Sequence, residues 1–295
     1  MADLNLRLHH AEDFTVGTLV AESVSTVDNV ELVNQAALPA GTYALVVENT
    51  SASATPAALA WHSLPAVTVA ATDDTAREID GSSATVTFTR SGDTALPLLV
   101  PLTTGGTAVS GTDFEALPTS ITIPSGSSTA ILPVIPGSDS IAQGNRSLTI
   151  TAVADFALVR DPGQSAAITL EDKPFDAWRF TNFDALELAD AEISSETADP
   201  DGDTLPNLLE YALGLSPETW DANPITVVPV DGYLQLTATK NPAATDIMWE
   251  AEASGDLETW TPATIGINTS TEFSASDTVL VEGTEKRFMR LKVTK

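Results

Sequence analysis

Acidic side chains recur at alternate positions in the segment DPDGDTLPNLLEYALG, which covers residues 199–214. Counted from its first aspartate, oxygen-bearing groups fall at positions 1, 3, 5, 7, 9 and 12, the spacing with which calcium loops offer six to eight oxygens to one hard cation. The residues at these positions are Asp199, Asp201, Asp203, Leu205 through its backbone carbonyl, Asn207 and Glu210. Without a cation the clustered aspartates would repel one another. The spacing therefore predicts a calcium site.

The sixth position of this segment leaves an alternative open. Calcium loops usually hold glycine there for the sharp bend, whereas this chain has Thr204, with Gly202 two places earlier. We therefore expect a different backbone path and a weaker affinity. An acidic turn stabilised by the dipole of a following helix would also contain aspartates. That alternative needs only one or two of them, so the full set of ligands favours the cation.

One helix is predicted directly after the acidic positions. Pro206 suits the first turn of this helix and Gly214 suits its end. Apolar side chains recur at helical spacing on one face. They are Leu205, Leu208, Leu209, Ala212 and Leu213. The first turn of the helix would carry the last ligands of the loop.

Strand patterns dominate the rest of the chain. Thr, Val, Ser, Gly and Pro are common, and short alternating segments are separated by turn residues, a pattern typical of β-sandwiches. Strands are predicted near 3–9, 16–22, 29–34, 42–48, 57–61, 84–92, 119–135, 146–153, 165–172, 233–239, 247–254 and 287–294. The predicted fold is mainly β, with tandem antiparallel β-sandwich domains and one short helix after the acidic loop. The predicted segments are 1–64, 65–173, 174–222 and 223–295.

The charge of the chain limits its partners. The 13 Lys and Arg residues face 41 Asp and Glu residues, which gives a formal net charge of −28. Such a surface repels phosphate backbones and anionic lipids but suits divalent cations. There are no cysteines, which excludes disulfides and thiolate metal sites. The sequence also lacks an apolar run long enough to span a membrane.

Three stretches resemble parts of exported bacterial proteins. The motifs DLNLRL, DNVELV, LPAGTYALVVEN and AALAW resemble a truncated pre-peptidase C-terminal domain. The stretch GTDFEALPTSITIPSGSSTAILPVIP resembles a Calx-beta domain. The layout WRF…DPDGD…NLLEYALG…GDLETW…RFMRL is similar to C-terminal regions of large exported proteins. These resemblances imply a secreted or cell-surface location within a longer precursor, since the chain opens mid-strand without a signal peptide. A subtilisin-like protease domain would precede it.

The Calx-beta resemblance implies a second calcium site at one end of that sandwich. Ser138 and Gln143 stand where the family has acidic ligands, so this site would bind one ion weakly or none. A solvated loop rim is the alternative. The matching acidic positions are Glu78, Asp113, Asp139, Glu171 and Asp172.

Catalytic motifs are scarce, which favours a non-catalytic, calcium-stabilised accessory or scaffold region. The only histidines are His9, His10 and His62, and neither an HExxH helix nor a G-x-S-x-G turn occurs. A hydrolase whose serine, histidine and aspartate meet only in space stays open as one alternative. Another alternative is adhesion to a cell surface or polysaccharide.

The five tryptophans would matter for a sugar-binding platform. Trp61 and Trp249 lie in alternating strands and are predicted to be core residues. Trp178 and Trp220 flank the acidic segment and are predicted to fasten it to a neighbouring domain. Only Trp260 is expected to be exposed enough for sugar stacking.

Overall fold

The computed structural model describes residues 4–12, 15–25, 30–33, 35, 38, 41–51, 54, 56–60, 65–153, 165–281 and 286–295. The strands in these ranges are β1 Leu4–Glu12, β2 Thr15–Val24, β3 Tyr43–Asn49, β4 Val67–Asp73, β5 Thr75–Arg77, β6 Ala84–Arg90, β7 Leu98–Gly106, β8 Ser120–Ile123, β9 Thr129–Val134, β10 Arg146–Ala152, β11 Ser165–Glu171, β12 Thr226–Val230, β13 Tyr233–Thr239, β14 Met248–Ser254, β15 Thr261–Pro262, β16 Thr264–Asn268, β17 Glu272–Leu280 and β18 Phe288–Thr294. The helices are α1 Pro174–Asn182, α2 Ala185–Leu188, α3 Ala191–Ser194 and α4 Asn207–Leu213. The protein is therefore mainly β, as predicted.

The first described sheet has three antiparallel strands in the order β2-β1-β3. Residues 30–33 and 57–60 are not in strands, so the strands predicted near 29–34 and 57–61 are wrong over those residues. The remaining residues of those two predicted strands, including Trp61, lie outside the described residues.

A two-sheet sandwich follows. One sheet has the order β5-β11-β10-β7-β8 and the other has the order β4-β6-β9. Alternate side chains of β6 point inward because successive residues of a strand face opposite sides, and Val86 and Phe88 are fully buried. They share one apolar core with Val100, Ile150 and Ile168 of the facing sheet. The pairs within both sheets are antiparallel except the parallel pair of β5 with β11.

The last two described sheets enclose a second core. Their strand orders are β12-β13-β17-β16 and β15-β14-β18. Leu236 and Phe273 of the first sheet pack in one buried cluster with Trp249 of the second. Leu213 of α4 joins this cluster, so the helix that follows the acidic loop is anchored in the C-terminal core.

Four helices occupy the segment where one was predicted. The helix after the loop is confirmed as α4, and Gly214 ends it in the left-handed conformation, with φ of 77°. Pro206 lies just before this helix, in extended backbone, and not in its first turn as predicted. The sequence analysis missed α1, α2 and α3. Asp184 caps α2 by accepting the amides of Leu186 and Glu187, so a four-residue helix forms from local hydrogen bonds without an apolar repeat. No helix in the described ranges is long and apolar enough to cross a membrane.

The tryptophan predictions have mixed outcomes. Trp249 is a core residue, with 3% of its surface exposed, so that prediction is confirmed. Trp178 packs against Phe175 and Tyr211 of its own segment, and its role in fastening that segment to a neighbouring domain stays a prediction. Trp220 is 67% exposed and does not fasten the acidic segment to a domain, so that prediction is wrong. Trp260 is half-buried and not fully exposed. The Arg290 guanidinium lies over its ring, 4.1 Å from the ring centre.

Candidate metal centre

Backbone amides hold the three aspartates of the acidic loop in place. Asp199 accepts hydrogen bonds from the amides of Gly202, Asp203 and Thr204 at 3.0, 3.2 and 2.9 Å. Asp201 accepts from the amide of Asp203 at 3.1 Å. Such side-chain to backbone bonds fold a short acidic segment into consecutive tight turns. One carboxylate oxygen from each aspartate consequently lies within 4.8 Å of the others.

Thr204 adopts the backbone conformation that glycine would provide at the sixth position. Its φ is 78°, in the left-handed region, and Gly202 has a φ of 76°. A residue with a β-carbon adopts this conformation at a cost of about 1–2 kcal/mol. Thr204 thus takes the left-handed conformation that glycine would take, at a cost in strain. The expected change of the backbone path at this residue is not seen.

Glu210 is the most unusual side chain of the loop. Its side chain has no solvent exposure, and neither carboxylate oxygen has a hydrogen-bond partner. A buried acceptor without a partner costs about 1–3 kcal/mol, and more when it is charged. Asp201 Oδ2 and Asn207 Oδ1 are likewise buried without a partner. Four acceptor atoms from three predicted ligands thus lack a donor. Buried acceptors normally have a partner, and a cation could supply one here.

The electrostatics of Glu210 follow from the same arrangement. Burial, and after it the negative charges of Asp201, Asp203, Asp199 and Asp221, together raise its pKa to about 8. Burial also raises the pKa of Asp201. A divalent cation would reverse both effects, because it favours the ionised form of every carboxylate around it.

Two tertiary contacts position α4 and therefore Glu210. The hydroxyl of Tyr211 donates to Asp246 at 2.5 Å, and its ring packs against Phe175 of α1. The backbone carbonyl of the same tyrosine accepts the side-chain amide of Asn241 at 2.9 Å. Because these contacts come from α1 and from the C-terminal sandwich, the loop lies where the middle and last parts of the chain meet.

Asp221 belongs to this centre although the loop spacing did not predict it. Its backbone amide donates to Asp203 Oδ2 at 2.9 Å, and its charge acts on Glu210. It lies eleven residues beyond Glu210, outside any twelve-residue loop, so no spacing rule could find it. Leu205 is buried, and ligation through its carbonyl stays a prediction.

Hydrogen-bond donors of the protein already satisfy two acids of the second predicted site. Asp113 accepts the side-chain amide of Gln143 at 3.0 Å and the backbone amide of Val109 at 2.7 Å. Asp172 accepts the backbone amides of Gln143 and Gly144 at 3.1 and 2.9 Å. Gln143, which the resemblance to a Calx-beta domain predicts at a ligand position, donates a hydrogen bond to Asp113 and offers no carboxylate to a cation.

The other acids of this second set also have protein partners. Glu171 forms an ion pair with Arg77 at 3.0 Å. Glu78 accepts a long hydrogen bond of 3.5 Å from the amide of Asp139, and the Asp139 carboxylate accepts from the amide of Ile141 at 2.8 Å. Within the described residues, three acids whose ligand atoms lie within 4.8 Å of one another occur only at Asp199, Asp201 and Asp203. The second site stays a prediction.

The histidines of the first sheet have structural contacts. His9 Nδ1 lies 3.0 Å from the carbonyl oxygen of Gly17. The ring of His10 lies 4.9 Å from that of Tyr43. His62 lies outside the described residues. A catalytic triad built on these histidines gains no support from these contacts.

The chain is thus a mainly β protein with an acidic loop that could hold a metal ion. No family model matches the chain, and no curated protein matches it. Among solved structures it is similar to the apo form of the Calx CBD1 domain, at 20% identity over 36% of this chain and 97% of that chain, with a TM-score of 0.31. It is also similar to CBD12 from CALX1.2, at 13% identity over 75% of this chain and 79% of that chain, with a TM-score of 0.34.

Proposed function

We propose that the loop of residues 199–210 binds one calcium ion and that the chain is a non-catalytic, calcium-stabilised accessory region of an exported bacterial protein. The observation that carries the first part is the buried carboxylate of Glu210, whose two oxygens both lack partners. A single proton would neutralise Glu210 but would leave the unpartnered oxygens of Asp201 and Asn207 unsatisfied. A cation bound between these groups would satisfy them together.

The ligand types favour calcium over other metals. The candidate ligands are all oxygens, and the described residues bring no histidine to the loop. Calcium accepts six to eight oxygens at about 2.3–2.6 Å and tolerates a carboxylate that binds with both oxygens, whereas magnesium requires near-ideal octahedral geometry. Glu210 would serve as such a two-oxygen ligand, and the aspartates and Asn207 would supply the remaining oxygens.

The ion would act as a structural staple. Clustered carboxylates repel one another without a cation, so binding converts an unfavourable segment into a rigid one. The loop leads directly into α4, which packs on Phe175 of α1 and through Leu213 in the C-terminal core. Calcium would therefore stabilise the connection between the middle and last sandwiches. Extracellular calcium modules bind with dissociation constants of about 10⁻⁴–10⁻³ M, which suits an exported protein.

Thermal melts in chelator and in millimolar calcium test this function. Calcium is expected to raise the midpoint of the native protein by many degrees, and Asp201→Ala is expected to lose most of that gain. Asp256→Ala is the matched control, because Asp256 also accepts turn amides, from Glu258 and Thr259, but lies outside the loop. It should lower the midpoint equally with and without calcium. A native protein that does not respond to calcium would refute the proposal.

A further inference from the structure

The segment of residues 191–198, which we call the α3 strap, is fastened to the first turn of α4. The side-chain nitrogen of Asn207 donates to the carbonyls of Ile193 and Ser195, both at 2.8 Å. The backbone amide of Asn207 donates to the carbonyl of Ala198 at 2.9 Å. Asn207 thus makes three hydrogen bonds to the strap, and its side chain has no solvent exposure.

These contacts fix the orientation of the Asn207 side-chain amide. An amide has two donor hydrogens on nitrogen and an oxygen that only accepts. Two carbonyl oxygens face one branch of the amide, so that branch must be the nitrogen, since the reverse orientation would bring three acceptors together. The oxygen Oδ1 is therefore held away from the strap, and it is buried without a partner. Residue 207 holds the ninth position of the loop, so the same side chain contacts the strap and serves the cation.

We propose that Asn207 couples the cation to the α3 strap, so that calcium binding at Oδ1 stabilises the strap through the two hydrogen bonds of the amide nitrogen. This inference rests on the proposed calcium site. A cation on the oxygen polarises the amide and strengthens its N–H donors, because linked polar contacts reinforce one another. Without the ion, the unpartnered oxygen favours conformations in which Asn207 turns to water, and the strap then loses both bonds.

The strap is suited to open on its own. Ile193 is its only large apolar residue, and apart from Asn207 it is held by polar contacts, among them a hydrogen bond of 3.1 Å from the backbone amide of Leu208 to the Glu196 carbonyl. Ser194 accepts from Arg179 at 3.1 Å, and Glu196 forms a surface ion pair of 2.8 Å with Lys295. Segments with little apolar burial open locally at lower free energy than a sandwich core. Calcium removal should thus release the strap before the sandwiches unfold.

Hydrogen–deuterium exchange of the full chain, read by mass spectrometry, tests the coupling. Peptides covering 191–198 should exchange at least about tenfold faster in chelator than in millimolar calcium, while the buried strand β6 stays unchanged in both. Calcium binding is measured on the same sample by calorimetry. If calcium binds but does not slow the exchange of the strap, the coupling is overturned while the proposed calcium site stands. Absence of binding overturns both.

Two matched variants separate the coupling from simple folding. Asn207→Asp keeps a ligand oxygen but replaces the donor nitrogen with an acceptor, so we expect calcium to bind while the strap exchanges fast even in calcium. Asn182→Asp is the control, because Asn182 also donates its side-chain amide to a helix carbonyl, that of Trp178 at 2.8 Å, but lies outside the loop and the strap. It should keep the calcium-dependent protection of the strap. If the strap of Asn207→Asp is as protected from exchange as that of the native protein, the proposal is overturned. If the variant does not fold, the exchange of the native protein in chelator and in calcium decides the question.

Discussion

The effect of Glu210→Gln on stability should change sign when calcium is added: the variant should be more stable than the native protein in chelator and less stable in calcium. In the calcium-free protein, burial and four neighbouring aspartates raise the pKa of Glu210 from its ordinary 4.5 to about 8. Below pH 4.5 the group is protonated in both the folded and unfolded states and adds no penalty. Between pH 4.5 and 8 the unfolded chain ionises while the folded protein stays protonated, so each pH unit costs the folded state about 1.4 kcal/mol. Above pH 8 the penalty levels off.

The size of this effect sets the expected result. At pH 7 the penalty is on the order of 3 kcal/mol for the calcium-free protein, because the carboxyl ionises readily only after unfolding. Glutamine has the same shape and no charge, and its amide can donate to the aspartates. In chelator Glu210→Gln should therefore be more stable than the native protein at pH 7 and about equal to it near pH 4.5. In millimolar calcium the order should reverse, because glutamine offers one neutral oxygen where the carboxylate offers two charged ones.

Urea unfolding at pH 5, 7 and 8.5, each in chelator and in calcium, measures these differences. Comparing variant with native protein at each pH isolates Glu210 from other titrating groups. The exposed Glu258 supplies the control, since Glu258→Gln should change stability little at any pH. If Glu210→Gln is less stable than the native protein in chelator at pH 8.5, the reasoning about a buried, unpartnered carboxylate is wrong.

Three further predictions concern the loop and the middle sandwich. Thr204→Gly should raise the free energy of unfolding by about 0.5–1 kcal/mol in urea melts, because it removes the strain of a φ of 78°; a loss of stability would contradict this. Gly144→Ala should destabilise the protein by about 1–3 kcal/mol, because a β-carbon there would lie 2.6 Å from the Phe180 ring, and an unchanged melting midpoint would contradict that. Gln143→Glu should lower the midpoint in chelator and increase the gain from calcium, because it replaces the donor to Asp113 with a carboxylate. An identical calcium response would show that this end of the sandwich holds no ion.

The local parts of the candidate site could be predicted from the sequence. Loop ligands at alternate positions converge because neighbouring side chains accept the amides of the same turn, as the contacts of Asp199 show. The start of α4 and its end at Gly214 follow from equally local rules. Strand segments such as β6 and β11 alternate in burial as their sequences do. Such features can be predicted from the sequence because the chemistry of a few consecutive residues determines them.

The non-local parts of the site could not be predicted in this way. The complete burial of Glu210 is not visible in the spacing of the loop, nor is the contact that brings Asp221 to Asp203 across eighteen residues. The donors from Asn207 to the α3 strap join residues twelve and fourteen positions apart, without a periodic signal. The helices α2 and α3 are too short to show an apolar repeat, and their aspartate caps resemble the aspartates of the loop itself.

Counting bound calcium is the most direct test of the central claim. Isothermal titration of the native protein and of Asp201→Ala, after removal of divalent ions, should show that the variant binds one ion fewer per chain than the native protein. That result would establish the loop as a calcium site whether or not the acids of the middle sandwich bind a second ion. Equal numbers of bound ions in the two proteins, or none in either, would contradict the assignment of the loop.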